Sequence, residues 1–559
     1  MFSFRFVRLV VSAFGVASAI GCSSSSDAAS ASPTDANATS GDGSSDGSSD
    51  GGGDATSTNS DTHTSGGPID DGPRDGKVPF PPPVGLISCQ QPLFVDAPLA
   101  WADVAVSPEA GMDALRDAIN GSDREKPTRI TAAPGVYQGQ CLYVEDHLRS
   151  EAAPLLIRGG TGENAPGAVQ IDCSDGNGQA FAFVHSSWIG VEGFTFGPDG
   201  AGGSHYGDTG IKVSGRPYMP NDRQHFGKWE ASHHFVLRNN VMRNLHRGPD
   251  GDANPDHYES ACCDGAKANQ TEWIWYIGNT ISRVARHGID NVGVHHAAAC
   301  NNIFYDLVGE GQGIESKGGS YDILFEANRM DRVFHRGLMM GGEGTNSNFM
   351  WPADFPTEAY GVVARNNVIV NASDGGLGFY GCWNCTATHN SIWFTPGYTI
   401  TDARDFIRAY PSVLEGGVFD EWGAATRAGE VLTNQDCTII NNVFGAAAGN
   451  ATCPLDAAGD GQGTVRFTIE NNRFYNGGDP LPNCGEGPTS ILGFADAGAT
   501  LTEPPGLANE GGFPDPKADL TPVASSPLVA AGKAHPANPV ADAAGKPRPA
   551  PGAIGALEP

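Results

Sequence analysis

An asparagine followed by a short apolar segment returns eight times along this chain, at Asn240, Asn279, Asn302, Asn328, Asn367, Asn390, Asn442 and Asn472. Asn302-Ile303-Phe304 and Asn442-Val443-Phe444 are typical copies. The intervals between these residue numbers are 39, 23, 26, 39, 23, 52 and 30, which a unit near 24 residues with loops inserted in some turns accounts for. A second phrase, a glycine followed by an alternating strand, begins at Gly210, Gly265, Gly288, Gly313, Gly337 and Gly376, and its middle four glycines are 23, 25 and 24 residues apart. Two phrases sharing one period confine the chain to a stack of equivalent units, none of which buries its apolar face alone.

The units carry strand patterns separated by turns, with no helical periodicity between them, so each turn supplies short strands. Stacked in parallel at about 4.8 Å per turn, they predict an all-β parallel β-helix in which the asparagines hydrogen-bond from turn to turn. Aligning the glycine phrase turn on turn sorts side chains by face. The position after the glycine reads Ile211, Ala266, Ile289, Ile314, Leu338 and Leu377, the expected core column. The next position faces outward and reads Lys212, Lys267, Asp290, Glu315, Met339 and Gly378. Two residues further, on the same face, stand Ser214, Asn269, Val292, Lys317, Gly341 and Tyr380.

Lys267, Asp290, Glu315 and Lys317 therefore meet on about three adjacent turns, either as a solvated strip of salt bridges or as a reactive site. Insertions between Val213 and Phe235 and between Gly342 and Gly361 could wall a groove around them and add Trp229, Phe349, Trp351, Phe355 and Tyr360, rings of the kind that stack on sugars. We take Trp351, Tyr380 and His295 as candidate substrate contacts. His257, His287, His295, His296 and His335 cluster in the same turns, and His287 and Arg336 each precede a phrase glycine, which makes them candidates for acid–base work.

The repeat, the helical stretch near Glu109 to Asn120 before Ala133-Pro-Gly-Val-Tyr137, and the closing segments Ser525 to Leu528 and Asp542 to Ala556 resemble the right-handed parallel β-helix, or pectin-lyase-like, superfamily. The closing segments look like its final turn. Locally, Gly313-Ile-Glu-Ser-Lys-Gly-Gly-Ser320 and Gly337-Leu-Met-Met-Gly-Gly342 resemble the catalytic turns of the alginate lyase and chondroitinase B family. That resemblance implies Lys317 as general base, calcium held by Asp290 and Glu315, and an acidic polysaccharide cleaved by β-elimination. Its arginine falls where this chain has Met339 and Met340, with Arg336 nearby. Lys267 is the alternative base, and His287 the next. A glycoside hydrolase using Asp290 and Glu315, or a glycan-binding surface β-helix without catalysis, are the competing functions.

The first 22 residues, with Arg5 and Arg8, the apolar run Leu9 to Ile20, and Gly21-Cys22, have the layout of a bacterial lipoprotein signal peptide, with Cys22 lipidated. Residues 23–84 are rich in Ser, Asp and Gly, with ten Asp against Arg74 and Lys77, which predicts a disordered, self-repelling tether. The expected β-helix domain is 85–559. The protein is thus expected as a monomer in the bacterial cell envelope, an outer-membrane lipoprotein or cell-surface protein, or otherwise secreted. A formal charge of −30 argues against a nucleic-acid partner. Eleven further cysteines in an oxidising compartment predict several disulfides and at least one leftover thiol. Cys382-Trp-Asn-Cys385 has zinc-knuckle spacing but no second pair of ligands, so a disulfide is favoured there.

Overall fold

The eight asparagines form one continuous ladder. The backbone N–H of each donates to Oδ1 of the next, at 2.8–3.1 Å from Asn240 through Asn472. Each Nδ2 donates to a backbone carbonyl, from Val191 O for Asn240 to Ile439 O for Asn472. The residue before each asparagine has φ between 53° and 64°, the left-handed conformation that turns the chain sharply. The amide then satisfies the buried backbone groups which that corner would leave unpaired.

The coordinates are a computed structural model describing residues 86–89, 93–159, 168–173, 179–198, 209–217, 229–245, 264–308, 311–398, 405–415, 427–447, 453–457, 464–481, 500–511 and 518–559. The expected signal peptide with Cys22 and the expected tether lie outside the described residues, as do His257, Cys262, Cys263, Cys484 and the Trp229 side chain.

Among the described residues, parallel strands fall into a 24-stranded and a 12-stranded sheet that wind together as a parallel β-helix. The core column is as expected: Ile211, Ala266, Ile289, Ile314, Leu338 and Leu377 pair in register, and Ile407 extends the series. All seven are at most 1% exposed. At roughly 1.5–3 kcal/mol for each fully buried aliphatic side chain, this column is a main source of the coil's cohesion. The glycine beside it is needed for close approach, since a Cβ on Gly288 would stand 2.5 Å from both Gly313 O and the Phe304 ring. The helix Gly111–Asn120 buries Met112, Leu115 and Ile119 against the first turns, as the sequence predicts for the N-terminal cap.

The closing segments depart from expectation. They do not form a final turn; residues 518–559 run back along the flank of earlier turns. Ala518 O accepts from Arg329, Arg548 donates to Asn366 Oδ1 at 2.8 Å, Ala556 N–H donates to Ser391 Oγ at 2.9 Å, and Gly555 N–H to Asn441 O at 2.9 Å. The reason is apolar: Leu520 and Ala556 cover Val370 and Trp393, while Leu528 and Ile554 cover Val443, on strand faces that point away from the core.

At the other end, Ile87, Leu93, Phe94 and Val95 pack on the outward residues Val236, Trp275, Ala298 and Leu324, and Cys89 is bonded to Cys300. Further disulfides join Cys141 to Cys173 and Cys382 to Cys385. Cys437 is a buried thiol, which meets the expectation of one left over.

Candidate functional site

The outward column is in the predicted register. Lys212 pairs with Lys267, Lys267 with Asp290, Asp290 with Glu315, Glu315 with Met339 and Met339 with Gly378. The sequence did not reveal that it continues to Arg408 and Asp456. Phe406 replaces the phrase glycine in that turn, although Phe406-Ile-Arg-Ala-Tyr410 keeps the alternation that could have identified it. One register differs: a bulge after Glu315 sets Ser316, not Lys317, opposite Gly341.

Of the two readings of this outward strip, the fully solvated one does not hold, because it is mostly covered. Asp290 is 0% and Glu315 2% exposed, whereas the side chains of Lys267 and Lys317 keep 17% and 12%. The backbone at Gly342 lies so close to Lys317 that a Cβ there would stand 2.8 Å from its Cδ. The lysine side chains are thus less covered than the two carboxylates they pair with.

Lys267 Nζ is 2.5 Å from Asp290 Oδ2 and 3.3 Å from Asp264 Oδ2. Lys317 Nζ is 2.6 Å from Glu315 Oε2 and 3.9 Å from Asp290 Oδ1. Burial alone would raise the Asp290 carboxyl, but Lys267 and then Lys317 hold it well below the usual carboxylate range. Burial pushes Glu315 up to about 7 although Lys317 opposes it, with Asp290 adding to the rise. Despite desolvation, Glu315 and Asp290 hold Lys317 above the ordinary lysine value. These last two tendencies compete, because protonating Glu315 removes part of the charge that holds Lys317 up. With Asp290 ionised beneath it, Lys317 is an ammonium in the uncovered site.

His287, 5% exposed, lies in this cluster with Nε2 3.3 Å from Glu315 Oε2. Its Nδ1 accepts the backbone N–H of Gln312 at 3.1 Å. Glu358, fully buried and not singled out by the sequence, accepts from Gly318 N–H at 2.7 Å, Thr345 Oγ1 at 2.5 Å and Ser412 Oγ at 2.8 Å. It thereby pins the turn after Lys317 to the neighbouring loop and strand. No feature of its sequence neighbourhood marks it, since its partners come from three separate segments.

Calcium does not fit this donor set. Calcium takes six to eight oxygen ligands. Here Asp290 and Glu315 are each already bonded to an ammonium group. Asp264, His287 and Asp290 present three atoms within 4.8 Å of one another. However, His287 Nδ1 is occupied as an acceptor, so Nε2 carries the ring's proton and is not free to ligate.

Arg336 and Tyr380 come together, but on turns beyond Lys317. The Arg336 guanidinium is 1% exposed, lies 4.8 Å from the Tyr380 ring, and pairs with Asp374 and, at 2.5 Å, with Glu343. Its guanidinium is thus engaged by two carboxylates and an aromatic ring. Arg408, from the unpredicted turn, stands among Asp374 at 3.2 Å, Asp405 at 3.0 Å and Asp456 at 3.4 Å. His295 is sandwiched between Tyr321 and Trp351 at 3.9 and 4.0 Å, is 2% exposed, and contacts Trp351 O at 3.0 Å. His295 and Trp351 therefore anchor the inserted loop, and His295 offers no face to a groove.

No protein-family model matches the chain. No curated protein matches its sequence. Solved structures do resemble it at low identity. Pectate lyase Pel9A is 10% identical over 82% of this chain and 97% of its own, with a TM-score of 0.42. The Azotobacter vinelandii mannuronan C-5 epimerase AlgE4 A-module is 13% identical over 69% of this chain and 97% of its own, with a TM-score of 0.39. A lacto-N-biosidase from Eubacterium ramulus is 12% identical over 67% and 68%, with a TM-score of 0.40.

Proposed function

We propose that the chain cleaves an acidic polysaccharide by β-elimination at the cluster of Lys267, Asp290, Glu315 and Lys317. The observation that carries this reading is the contact between Lys317 and Glu315: an ammonium group on a partly exposed side chain, 2.6 Å from a buried carboxylate whose affinity for a proton is raised. In an acidic protein, Lys267 offers a cation to the uronate carboxylate, and neutralising that carboxylate acidifies the proton on the adjoining ring carbon. When a sugar covers Lys317 and excludes water, the ion pair loses solvation, and passing one proton from Nζ to Glu315 leaves a neutral pair. The free amine then takes the carbon-bound proton. The electron pair left behind forms the double bond and expels the glycosidic oxygen, which is protonated by water.

A screen of polyuronates and glycosaminoglycans tests this, because elimination leaves an unsaturated uronate with its own ultraviolet absorbance. Lys317→Ala should lower turnover roughly 10²- to 10⁴-fold, the usual contribution of a general base, while glycan binding persists. Unchanged turnover in that variant would refute the assignment. A second reading, hydrolysis by Asp290 and Glu315, is favoured by the opposite displacement of two carboxyl groups on adjacent turns. It would give new reducing ends without the absorbance, and binding without either product would favour a non-catalytic glycan-binding surface protein. We further propose export and anchoring through a lipidated Cys22, so that Cys22→Ser moves the protein from the membrane fraction to the soluble one.

A further inference from the structure

The residues one before the phrase glycines form a polar ladder of their own. Asp264 Oδ1 accepts the backbone N–H of His287 at 3.1 Å, His287 Nδ1 accepts that of Gln312 at 3.1 Å, and Gln312 Oε1 accepts that of Arg336 at 3.0 Å. A backbone amide can only donate, so Nδ1 of His287 carries no proton. Burial holds the ring neutral, well below the ordinary histidine value, with nearby Arg286, Lys317 and Lys267 adding to the effect against Asp290. The one ring proton is therefore on Nε2, which faces Glu315 Oε2 at 3.3 Å. His287 is buried and lies beneath Lys267 and Lys317, so the ring acts on the glycan only through other groups.

We propose that His287 is a positioning residue whose Nε2–H holds Glu315 Oε2 toward Lys317 Nζ. That oxygen lies 3.3 Å from the ring nitrogen and 2.6 Å from the lysine. The inference rests on the proposed role of Lys317 and Glu315, and two substitutions separate it from a purely structural role. His287→Asn places an amide oxygen where Nδ1 stands, keeping the bond from Gln312 but leaving nothing to reach Glu315. His287→Gln places an N–H near the Nε2 position and gives up the Gln312 bond. Positioning predicts that the Asn variant folds normally yet loses about tenfold to a hundredfold in kcat at similar KM. It also predicts that the Gln variant, although less stable, keeps more of the activity. The reverse order would overturn it.

Two measurements decide the inference without any turnover. Nitrogen NMR of His287 should show the neutral Nε2–H tautomer across neutral pH, and an Nδ1–H ring would overturn the proposal. The infrared carboxylate band of Glu315, assigned with Glu315→Gln, should shift in His287→Asn and stay close to wild type in His287→Gln. Equal bands in all three proteins would overturn it as well. If the wild-type protein cleaves no glycan, the proposed function fails, and these two spectra still decide the position of Glu315.

Discussion

Asn302 is the place to test what holds the coil together. Its Oδ1 accepts from the Asn279 backbone at 2.9 Å and from Asn279 Nδ2 at 3.0 Å, and its own Nδ2 donates to Tyr276 O at 2.9 Å and to Asn328 Oδ1 at 3.0 Å. Asn302→Ala strands one buried backbone N–H, at about 1–3 kcal/mol, and removes the three other bonds at about 1 kcal/mol each, so the loss should be about 4–6 kcal/mol. Asn302→Asp is isosteric and should be worse at neutral pH. Its second oxygen would face Tyr276 O and Asn328 Oδ1, two acceptors, as a buried charge. That carboxyl would have a folded-state pKa above its unfolded value of about 3.9, so the Asp variant should recover stability as the pH falls. Urea unfolding followed by circular dichroism, with hydrogen exchange at the Asn279 amide, reads both effects. A cost below about 1 kcal/mol for Ala, or an Asp variant equal to wild type at neutral pH, would refute the view that the ladder is structural.

Other consequences are equally open to measurement. Asp290 is held below its ordinary range, so its contribution to stability is present above the unfolded value of about 3.9 and is lost as the pH falls through the folded value. Lys267→Met should raise the pH of acid unfolding and cost about 3–5 kcal/mol at neutral pH, and an unchanged acid transition would contradict the pairing. Chelation should leave activity and thermal stability unaltered, since ammonium groups stand where a calcium ion would have to bind; loss on chelation with recovery in calcium would reverse that conclusion. Cys385 and Cys437 precede the in-register pair Thr386 and Thr438, which places them on adjacent turns. Cys382→Ser should therefore yield a Cys385–Cys437 bond by peptide mapping, whereas two free thiols there would show that the turns are held too far apart.

The sequence specified periodic features and left covered ones hidden. Equivalent positions repeat turn after turn, so the column from Lys267 through Glu315 to Gly378 and the whole asparagine ladder could be read from spacing alone. The burial of Asp290 and Glu315 comes from side chains that fold over them, Lys267, Lys317 and His287, and spacing alone left open whether the strip was solvated or a site. The same limit explains His295, whose ring looked available for a sugar until the loop bearing Trp351 closed over it. It also explains the segment 518–559, whose apolar residues have partners set by which flank was left uncovered, a property of the folded coil. The bulge beside Glu315 passes over Met340 and sets Ser316 against Gly341, whose φ is 96°, a shift that a strict 24-residue alignment of the glycine phrase does not show.

The bond from Cys89 to Cys300 has a mechanical consequence. It joins residues 211 apart in sequence, so tension applied upstream of Cys89 enters the solenoid at its middle and bypasses the first turns. Those turns are then outside the load path and cannot be unreeled one by one from the N-terminal side. The chain length shielded this way is about 700 Å when fully extended. Reducing that single bond would move the point of loading to the edge strand Ala102–Val106, where each turn could peel away in succession.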